Sequence, residues 1–555
     1  MAAGLRLLRP LLWLGAWAPA APLGRGDGGV VQEELFSTLS APGAPGGGPV
    51  AIQVRYNAAM QPLVQVSVGG QDLDLVFDAS SGDTLVFVKE HGACIPTTFT
   101  PCYSYEMAEA HKSLHICKEN KQAECSAGRG YPCDKFLPTL ENGTAHPDEL
   151  VIDGMRYVQK SVEAVDSVQV RLMGKTPWTV GWRSLPVRLL VEPLTIPTPH
   201  DSVTLKLFQG TSGLLGASGP SLSCRGENVW SRLLQTWNAS VFALDFQPPP
   251  QAFNLDFPAW DRTGGPIEGR IVLGQLDSRY EKDLVWSQPK QTGDLLNDAM
   301  SEFLMYRPSV CGVDLLYNTS SNWLTVLDTS GPCLLLPPFL FDRLRTHIPI
   351  TCPFANGEAS MGRLCSPTRD AVGAKGLLLP DLQFQLEDAM DPAPRTLTIP
   401  LERLVFRNAS GHEFICLSRD DDAPLRAADM LFSHISFGSM AVAAFYTVVD
   451  LKSHRIGLAS KGNASAEATD KFCSQAVTCK SPMQTYYPPS NVCEDPRCSE
   501  YLLMTLDNET KTCVWSRSVP ALFGILLAVL VFLDFVGHRL YSQAIAKASG
   551  FRIRQ

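Results

Sequence analysis

Charged residues are scarce in this chain of 555 residues. Asp, Glu, Lys and Arg make up 19% of it, below the roughly 25% of an average soluble protein. The net charge is −9 and no basic block is present, which argues against a nucleic-acid-binding protein. A hydrophobic share of 45% excludes a disordered polyelectrolyte, and the chain is long enough for more than one core.

Several common catalytic and metal-binding motifs are also missing. The sequence has no G-x-S-x-G nucleophile elbow, no H-E-x-x-H zinc motif and no Walker-type glycine loop. The 10 histidines are scattered, and Cys493 and Cys498 have no His or Cys partners at zinc-finger spacing. We therefore expect no metal site and no cofactor.

The two ends of the sequence indicate a membrane protein. Residues 1–20 have a basic start, a short apolar run and a small-residue cleavage pattern, which is typical of a secretory signal peptide. Residues 519–537 are apolar except for Asp534. The span predicted at 518–537 is long enough to cross a bilayer as a helix. Because the charges of residues 538–555 are all basic, the positive-inside rule places this tail in the cytosol. A glycolipid-anchor signal would instead end in its hydrophobic stretch.

The predicted topology is that of a single-pass type I membrane protein of the secretory or endomembrane pathway or the cell surface. Its main domain is luminal or extracellular. All 16 cysteines lie on that side, where disulfides are the default. So do six N-x-S/T sequons, which are Asn142, Asn238, Asn318, Asn408, Asn463 and Asn508.

Between these ends the sequence predicts a mostly β protein. Apolar residues alternate along 64–68 and, after a Gly-Gly turn, along 73–77, so that a hairpin delivers Asp78 at a strand end. The strand at 323–327 delivers Asp328 in the same way. Helical periodicity is scarce outside the membrane span, with one candidate at 339–347.

Two cysteine-rich segments differ from the β pattern. Residues 92–160 hold five cysteines with little strand periodicity, which predicts a disulfide-pinned surface insertion. Residues 463–517 hold five more, which predicts a small cross-linked stalk before the membrane. Because five is odd, we expect one of these five to pair with the main body.

A strand-end Asp that occurs twice in one β-rich chain suggests paired carboxylates. Two carboxyl groups held about 3 Å apart cannot both ionise cheaply, so they share one proton. The ionised member is then a general base for water, and the protonated member polarises a carbonyl. Asp78 and Asp328 are therefore the candidate catalytic residues.

Six segments in this order resemble motifs of the pepsin family of aspartic proteases, over roughly residues 51–460. They are Gln65–Asp78, Gly213–Gly216 with Pro220-Ser221, Gly269–Asp277 with Leu284–Trp286, Val326–Thr329, Leu379–Phe384, and Phe445–Asp450 with Arg455–Ala459.

The resemblance implies a bilobal pepsin-like fold in which each β lobe gives one Asp to a cleft for an extended peptide. It also suggests Cys94–Cys102 and Cys365–Cys416 disulfides. The predicted organisation is a signal peptide (1–20), a linker or short pro-segment (21–50), an N-terminal lobe with the Cys-rich insertion (51–262), a C-terminal lobe (263–462), the stalk (463–517), the membrane helix (518–537) and the cytosolic tail (538–555).

Both loops depart from the D-T-G-S sequence of the family. Thr329 keeps the hydroxyl that in the family bonds across to the other lobe, whereas Ala79 lacks it. Ser80 and Ser330 replace the family's Gly, and we expect their Cβ atoms to crowd the approach of a backbone N–H to the carboxylates. Tyr157 is the nearest candidate for the Tyr of the flap that covers the family's cleft.

These departures leave two functions open. The first is a membrane-anchored aspartic endopeptidase that hydrolyses luminal or extracellular polypeptides. The alternative is a catalytically inactive pepsin-like ectodomain that binds polypeptide or acts as a receptor. In either case the expected partners are a polypeptide and the membrane, and no nucleic acid.

Overall fold

The computed structural model describes part of the chain. The described residues are 50–57, 60–90, 94, 101–110, 114–116, 146–152, 155–173, 178–190, 210–219, 228–247, 269–289, 301–317, 319–352, 365–368, 372–373, 376–377, 379–387, 395–407, 413–419, 434–461, 473–474, 476–498, 503–516 and 518–550. The predicted signal peptide, residues 21–49 of the predicted linker or pro-segment and the predicted lobe boundary at 262–263 lie outside these ranges. Val50, the last residue of that predicted segment, begins the first strand.

The described residues are mostly β. The strands of the first half are β1 (Val50–Tyr56), β2 (Pro62–Val68), β3 (Gln71–Asp78), β4 (Thr84–Phe87), β5 (His115–Ile116), β6 (His146–Ile152), β7 (Met155–Leu172), β8 (Trp178–Leu190), β9 (Gly213–Gly216), β10 (Val241–Phe246), β11 (Gly269–Leu273) and β12 (Val285–Trp286). Those of the second half are β13 (Glu302–Val310), β14 (Val313–Asp314), β15 (Asn322–Leu327), β16 (Leu334–Leu336), β17 (Ile350–Thr351), β18 (Ser366–Pro367), β19 (Val372–Gly373), β20 (Gly376–Leu377), β21 (Asp381–Gln385), β22 (Leu397–Pro400), β23 (Val405–Arg407), β24 (Glu413–Ile415), β25 (Leu417–Arg419), β26 (Ile435–Phe437), β27 (Phe445–Asp450), β28 (Arg455–Ser460), β29 (Thr485–Tyr487), β30 (Val492–Glu494), β31 (Met504–Asp507) and β32 (Thr512–Trp515). The helices are α1 (Tyr105–Ala110), α2 (Val229–Thr236), α3 (Pro338–His347), α4 (Ser439–Ala443) and α5 (Ser518–Gly550).

Two large sheets carry the body of the protein. The first has 14 strands in the order β12-β28-β27-β10-β11-β1-β2-β3-β9-β4-β8-β7-β5, with β6 paired to β7. The second has eight strands in the order β22-β21-β13-β15-β26-β16-β25, with β14 paired to β13. The predicted strands at 64–68, 73–77 and 323–327 and the helix at 339–347 are confirmed to within two residues at each end.

The same strand arrangement occurs once in each large sheet. In the first, β3 runs antiparallel to β2 and parallel to β9, while β4 runs antiparallel to β9 and parallel to β8. In the second, β15 runs antiparallel to β13 and parallel to β26, while β16 runs antiparallel to β26 and parallel to β25. Asp78 ends β3 and Asp328 directly follows β15, so the two residues hold matching positions.

Apolar alternation explains why these segments form strands. In β2 every second residue is buried. Val64, Val66 and Val68 face the core, whereas the intervening Gln65 and Ser67 are only partly buried. Most buried residues of both large sheets belong to one contiguous core. A smaller separate core lies along β10, β11, β27 and β28. Phe77 meets Trp230 edge to face at 5.1 Å, so the residue before the first Asp is a main packing site.

The segment 92–160 contains more regular structure than expected. Besides α1 and β5, its later part forms β6 and the first third of β7, which pair antiparallel from His146↔Ser161 to Ile152↔Met155. An Asp-Gly pair at 153–154, a strong hairpin signal, separates these two strands. Tyr157 lies in β7 opposite Leu150, and its role as a flap residue stays a prediction.

The disulfides confirm one predicted pair and correct another. Cys94 pairs with Cys102 as expected. Cys365–Cys416 is wrong, because Cys365 pairs with Cys352 and Cys416 with Cys333, at Cα separations of 4.2 and 4.5 Å. Cys365 and Cys416 do lie near each other, since an isolated bridge joins Cys365 to Ile415. Neither sulfur is free to join the other, because each is already bonded to another cysteine.

The predicted stalk is a folded segment attached to the body. As expected, one of its five cysteines pairs outside it, in Cys311–Cys473. The other four form Cys479–Cys493 and Cys498–Cys513. Asn508 in this segment and Asn238 in the body are the sequons within the described residues, and both side chains are exposed.

Helix α5 is the one described helix long and apolar enough to cross a membrane. It continues to Gly550, well past the predicted end of the span at residue 537. Residues 538–550, predicted as part of a tail, therefore continue the same helix.

Candidate functional site

Asp78 is placed by the parallel pairing of β3 with β9. It lies opposite Gly216, and its carbonyl oxygen accepts a hydrogen bond from Ala217 N at 2.7 Å. A Cβ on Gly216 would come within 2.4 Å of the Asp83 carbonyl oxygen. Glycine is therefore required where the loop after Asp78 folds back over β9.

Asp328 is placed in the same way by β15 and β26. Its backbone N donates to the Phe437 carbonyl oxygen at 3.0 Å. Gly438 follows, and a Cβ there would come within 2.2 Å of the Cys333 carbonyl oxygen. Each Asp loop thus packs against a glycine at the end of the parallel neighbouring strand: Gly216 is the last residue of β9, and Gly438 directly follows β26.

The hydroxyl of Thr329 connects the two Asp loops. Its Oγ1 donates to the Phe77 carbonyl oxygen at 2.7 Å and accepts from Ala79 N at 3.0 Å. Phe77 and Ala79 flank Asp78, and Thr329 follows Asp328. One buried side chain therefore fixes the backbone on both sides of Asp78 relative to Asp328. Ala79 has no hydroxyl with which to make the reciprocal contact.

A second link joins Asn57, Met60 and Gln61 to the loop of Asp328. Gln61 Nε2 donates to the Ser330 carbonyl oxygen at 2.7 Å, and Ser439 Oγ donates to the Met60 carbonyl oxygen at 2.6 Å. Asn57 holds Gln61 through two hydrogen bonds of 2.7 and 2.9 Å. Gln61 and Ser439 are both fully buried, so no water competes for these contacts.

Sequence reasoning missed Gln61 and Ser439. No local pattern marks either residue, because the Gln61–Ser330 contact joins positions 269 apart in the chain. The sequence shows only that each is a polar residue beside a strand, Gln61 before β2 and Ser439 after β26. That position alone does not predict a buried contact.

The serines two positions after each Asp are carboxylate donors. Ser80 Oγ donates to Asp78 Oδ1 at 2.7 Å, and Ser80 N donates to the same atom at 2.9 Å. Ser330 Oγ donates to Asp328 Oδ1 at 2.7 Å, and Gly331 N lies 3.4 Å from that oxygen. The crowding expected at Ser80 is therefore wrong, because its N–H still reaches the carboxylate. The repetition of Ser at this position was the signal for this role.

Both carboxyl groups have a raised pKa. Asp78 is 3% exposed, and burial raises its pKa against the opposing effect of the Ser80 hydrogen bonds. Asp328 keeps some solvent exposure. Burial and the negative charge of Asp78 together raise the pKa of Asp328 to about 6. The two groups thus interact electrostatically, as expected of carboxylates that compete for one negative charge.

The described residues contain no group of three or more His, Cys, Asp or Glu side chains arranged to hold a metal ion. What the site does contain is two carboxyl groups with elevated proton affinity, each with a hydroxyl donor. Such a pair has the components of general acid–base chemistry. The chain matches no protein-family profile and no curated protein.

Proposed function

We propose that the chain is a membrane-anchored aspartic endopeptidase with a bilobal pepsin-like fold. The observation that carries the proposal is the pair Asp78 and Asp328. They hold matching positions in two copies of one strand arrangement, and the negative charge of Asp78 raises the proton affinity of Asp328. The Thr329 bridge supports it further, because it ties the two loops together at the residues next to the carboxylates.

In the proposed reaction the two carboxyl groups share one proton. The ionised carboxylate takes a proton from water while the water oxygen adds to the carbonyl carbon of the peptide. The protonated carboxyl donates its proton to the carbonyl oxygen. Collapse of the resulting gem-diol breaks the C–N bond. The carboxyl that took the proton from water gives it to the nitrogen, which leaves as an amine, and the other carboxylate takes a proton from a gem-diol hydroxyl, which becomes the carbonyl of the new carboxylic acid. One water is consumed and the dyad returns to its starting state.

The membrane topology of the proposal is type I. Helix α5 has the length and hydropathy of a span, and the disulfides of the preceding residues suit an oxidising compartment. The basic residues that follow Asp534 favour a cytosolic C-terminus. The substrate is then a luminal or extracellular polypeptide.

One observation favours the alternative of an inactive, polypeptide-binding relative. Because Ala79 lacks a hydroxyl, Thr329 bridges the two loops from one side. A displacement of about 1 Å at a catalytic centre can cost a hundredfold in rate. The Gln61–Ser330 contact offsets this weakness, since it holds the loop of Asp328 from a second direction.

The test is peptide cleavage by the purified full-length protein. A mixture of peptides is incubated between pH 3.5 and 7.5, and new termini are identified by mass spectrometry. The proposal expects new termini with the wild type and none with Asp78→Asn or Asp328→Asn. Retention of peptides by both variants and the wild type, without new termini, would support the binding alternative.

A further inference from the structure

We propose that the membrane-proximal segment, residues 473–474, 476–498 and 503–516, holds the body (residues 50–461) directly against the lipid bilayer. Trp515 and Val514 would lie in the headgroup layer. The inference rests on the membrane span of the proposed function and is independent of its hydrolytic chemistry. In place of the expected stalk, the segment is a rigid connection between the body and α5, which we call the mount. It is held by a disulfide to the body and by specific hydrogen bonds.

The first links join the segment covalently and through its backbone to the body. Cys473 forms a disulfide with Cys311, at a Cα separation of 5.9 Å. Ser474 N donates to the His347 carbonyl oxygen at 2.8 Å, and the imidazole of the buried His347 lies 3.2 Å from the Pro489 carbonyl oxygen. The segment therefore touches the end of α3 at two separate points.

The rest of α3 binds the same segment through side chains. Arg343 Nη2 donates to the Tyr487 hydroxyl at 2.8 Å, and the guanidinium also lies 5.6 Å from the centre of that ring. Asn491 Nδ2 donates to the Thr346 carbonyl oxygen at 3.3 Å. A disulfide combined with several directional contacts fixes orientation as well as distance.

The two halves of the segment are tied to each other. The Cys498–Cys513 disulfide connects them. Lys511 Nζ contacts Asp495 Oδ2 at 2.8 Å, and Gln484 Nε2 donates to Asp495 Oδ1 at 2.8 Å. The hairpin β31–β32 is therefore bound to the part that contacts α3.

The hairpin continues into the apolar helix through hydrogen bonds. Ser516 N donates to the Leu503 carbonyl oxygen at 2.7 Å, and Val519 N donates to the Ser516 carbonyl oxygen at 2.9 Å. The hydroxyls of Ser516 and Ser518 are 2.7 Å apart. The base of the hairpin is thus joined to the first turn of α5.

The β31–β32 hairpin is hydrophilic at its tip and apolar at its base, and the base is the end nearest the membrane helix. Its tip carries the exposed sequon Asn508, a hydrophilic site, followed by Glu509. Its base carries Trp515, which is 63% exposed, beside Val514, which is 41% exposed. Trp515 lies three residues before the start of α5. An indole at that depth favours the headgroup layer, where its ring is shielded and its N–H stays hydrated.

The position of Trp515 is tested with the full-length protein in phosphatidylcholine vesicles. Tryptophan fluorescence is compared between ordinary and brominated phosphatidylcholine, for the wild type, Trp515→Phe and the control Trp286→Phe. Trp286 lies in the body under Arg455, and no Trp follows residue 515 in the chain. We expect Trp515→Phe to lose most of the bromine quenching and Trp286→Phe to retain it. Unchanged quenching in Trp515→Phe overturns the proposal.

The mount is tested by neutron reflectometry of the protein in a supported bilayer. We expect protein density to begin at the headgroups in the wild type. Removal of the Cys311–Cys473 bridge by a double Cys→Ser substitution should broaden that layer and move it outward. The control removes Cys352–Cys365, a disulfide within the body, and should change neither.

A water-filled gap between headgroups and body in the wild type overturns the mount, and so does a protein that fails to insert into vesicles. Failure to insert also removes the membrane part of the proposed function. Insertion without bromine quenching of Trp515 removes the present inference alone. If the double Cys→Ser variant does not fold, the wild-type layer and the Trp515 quenching still decide.

Discussion

The hydroxyl of Thr329 lies 2.7 Å from the carbonyl oxygen of Phe77. The residue after one aspartate therefore holds the residue before the other. The same oxygen accepts a hydrogen bond from the N–H of Ala79. This one buried side chain therefore contacts the backbone on both sides of Asp78 and helps to set the relative position of the two carboxyl groups.

Replacement of Thr329 tests this dependence. Thr329→Val keeps the shape of the side chain but leaves two buried backbone groups without a partner, at a cost of about 1–3 kcal/mol in the free energy of unfolding. We expect the rate of peptide cleavage to fall by about tenfold to a hundredfold. Thr329→Ser retains the hydroxyl and is the matched control. Equal rates in the two variants would show that the bridge does not position the dyad.

The contact between Gln61 and Ser330 gives a second prediction. Gln61→Leu should destabilise the protein by about 1–3 kcal/mol, because the buried Ser330 carbonyl loses its donor. It should also lower kcat at nearly unchanged KM. Gln71→Leu is the control. Gln71 is likewise buried, but it lies at the end of β3 opposite Asp78 and forms its hydrogen bonds with Ser104. We expect the control to lose comparable stability and to keep the wild-type kcat, as measured on folded protein. An equal loss of kcat in both variants would refute a positioning role for Gln61.

The strands that carry the two Asp residues were predictable from the sequence, whereas β6 and the start of β7 were not. Period-two alternation is a local property, and it determines which strand ends can carry a polar residue. The Thr329 bridge followed from the family resemblance. The Gln61 and Ser439 contacts were not predictable, since they depend on where a distant turn packs.

The cysteine pairs show the same limit. The family resemblance was sufficient for Cys94–Cys102, which closes a loop of eight residues. It was insufficient for Cys416, whose partner Cys333 is 83 residues away. In the membrane-proximal segment an odd number of cysteines indicated one bridge to the body. The attachment of this segment along α3 was not predictable, because it depends on contacts between distant residues such as Arg343 and Tyr487.

The serine donors predict a shift in the pH dependence of activity. Ser80 and Ser330 each donate to the ionised form of an Asp and so lower its pKa. Removal of either hydroxyl should raise the pKa of the pair. In Ser80→Ala and Ser330→Ala we therefore expect the pH range of cleavage to move to higher pH. Ser320→Ala, an exposed serine bonded to the Asn322 carbonyl oxygen, should keep the wild-type profile. A profile that stays in place in both test variants would contradict the role of the hydroxyls.

The raised pKa of Asp328 also predicts a pH dependence of stability. A carboxyl whose pKa rises from 3.8 to about 6 on folding binds its proton more tightly in the native state. Its favourable contribution is fully present below pH 3.8 and is lost as the pH rises through about 6. Each unit of pKa corresponds to about 1.4 kcal/mol. Asp328→Asn should therefore lose less stability than the wild type between pH 4 and 7.

Asp277 provides the control for this measurement. Arg279 donates to it and lowers its pKa to about 2, so it is ionised throughout that range. Thermal melts of Asp277→Asn should keep the wild-type slope between pH 4 and 7. A wild-type slope in Asp328→Asn as well would mean that Asp328 is not the group responsible.

The central claim is that Asp78 and Asp328 act as one catalytic unit, and the most direct test is the cleavage rate of four proteins: the wild type, Asp78→Asn, Asp328→Asn and the double variant. Residues that act as a unit are not additive. We predict that each single variant loses at least about a thousandfold and that the double variant is no slower than either. A single variant that stays within about tenfold of the wild-type rate, or a double variant whose loss is the product of the two single losses, would contradict the account.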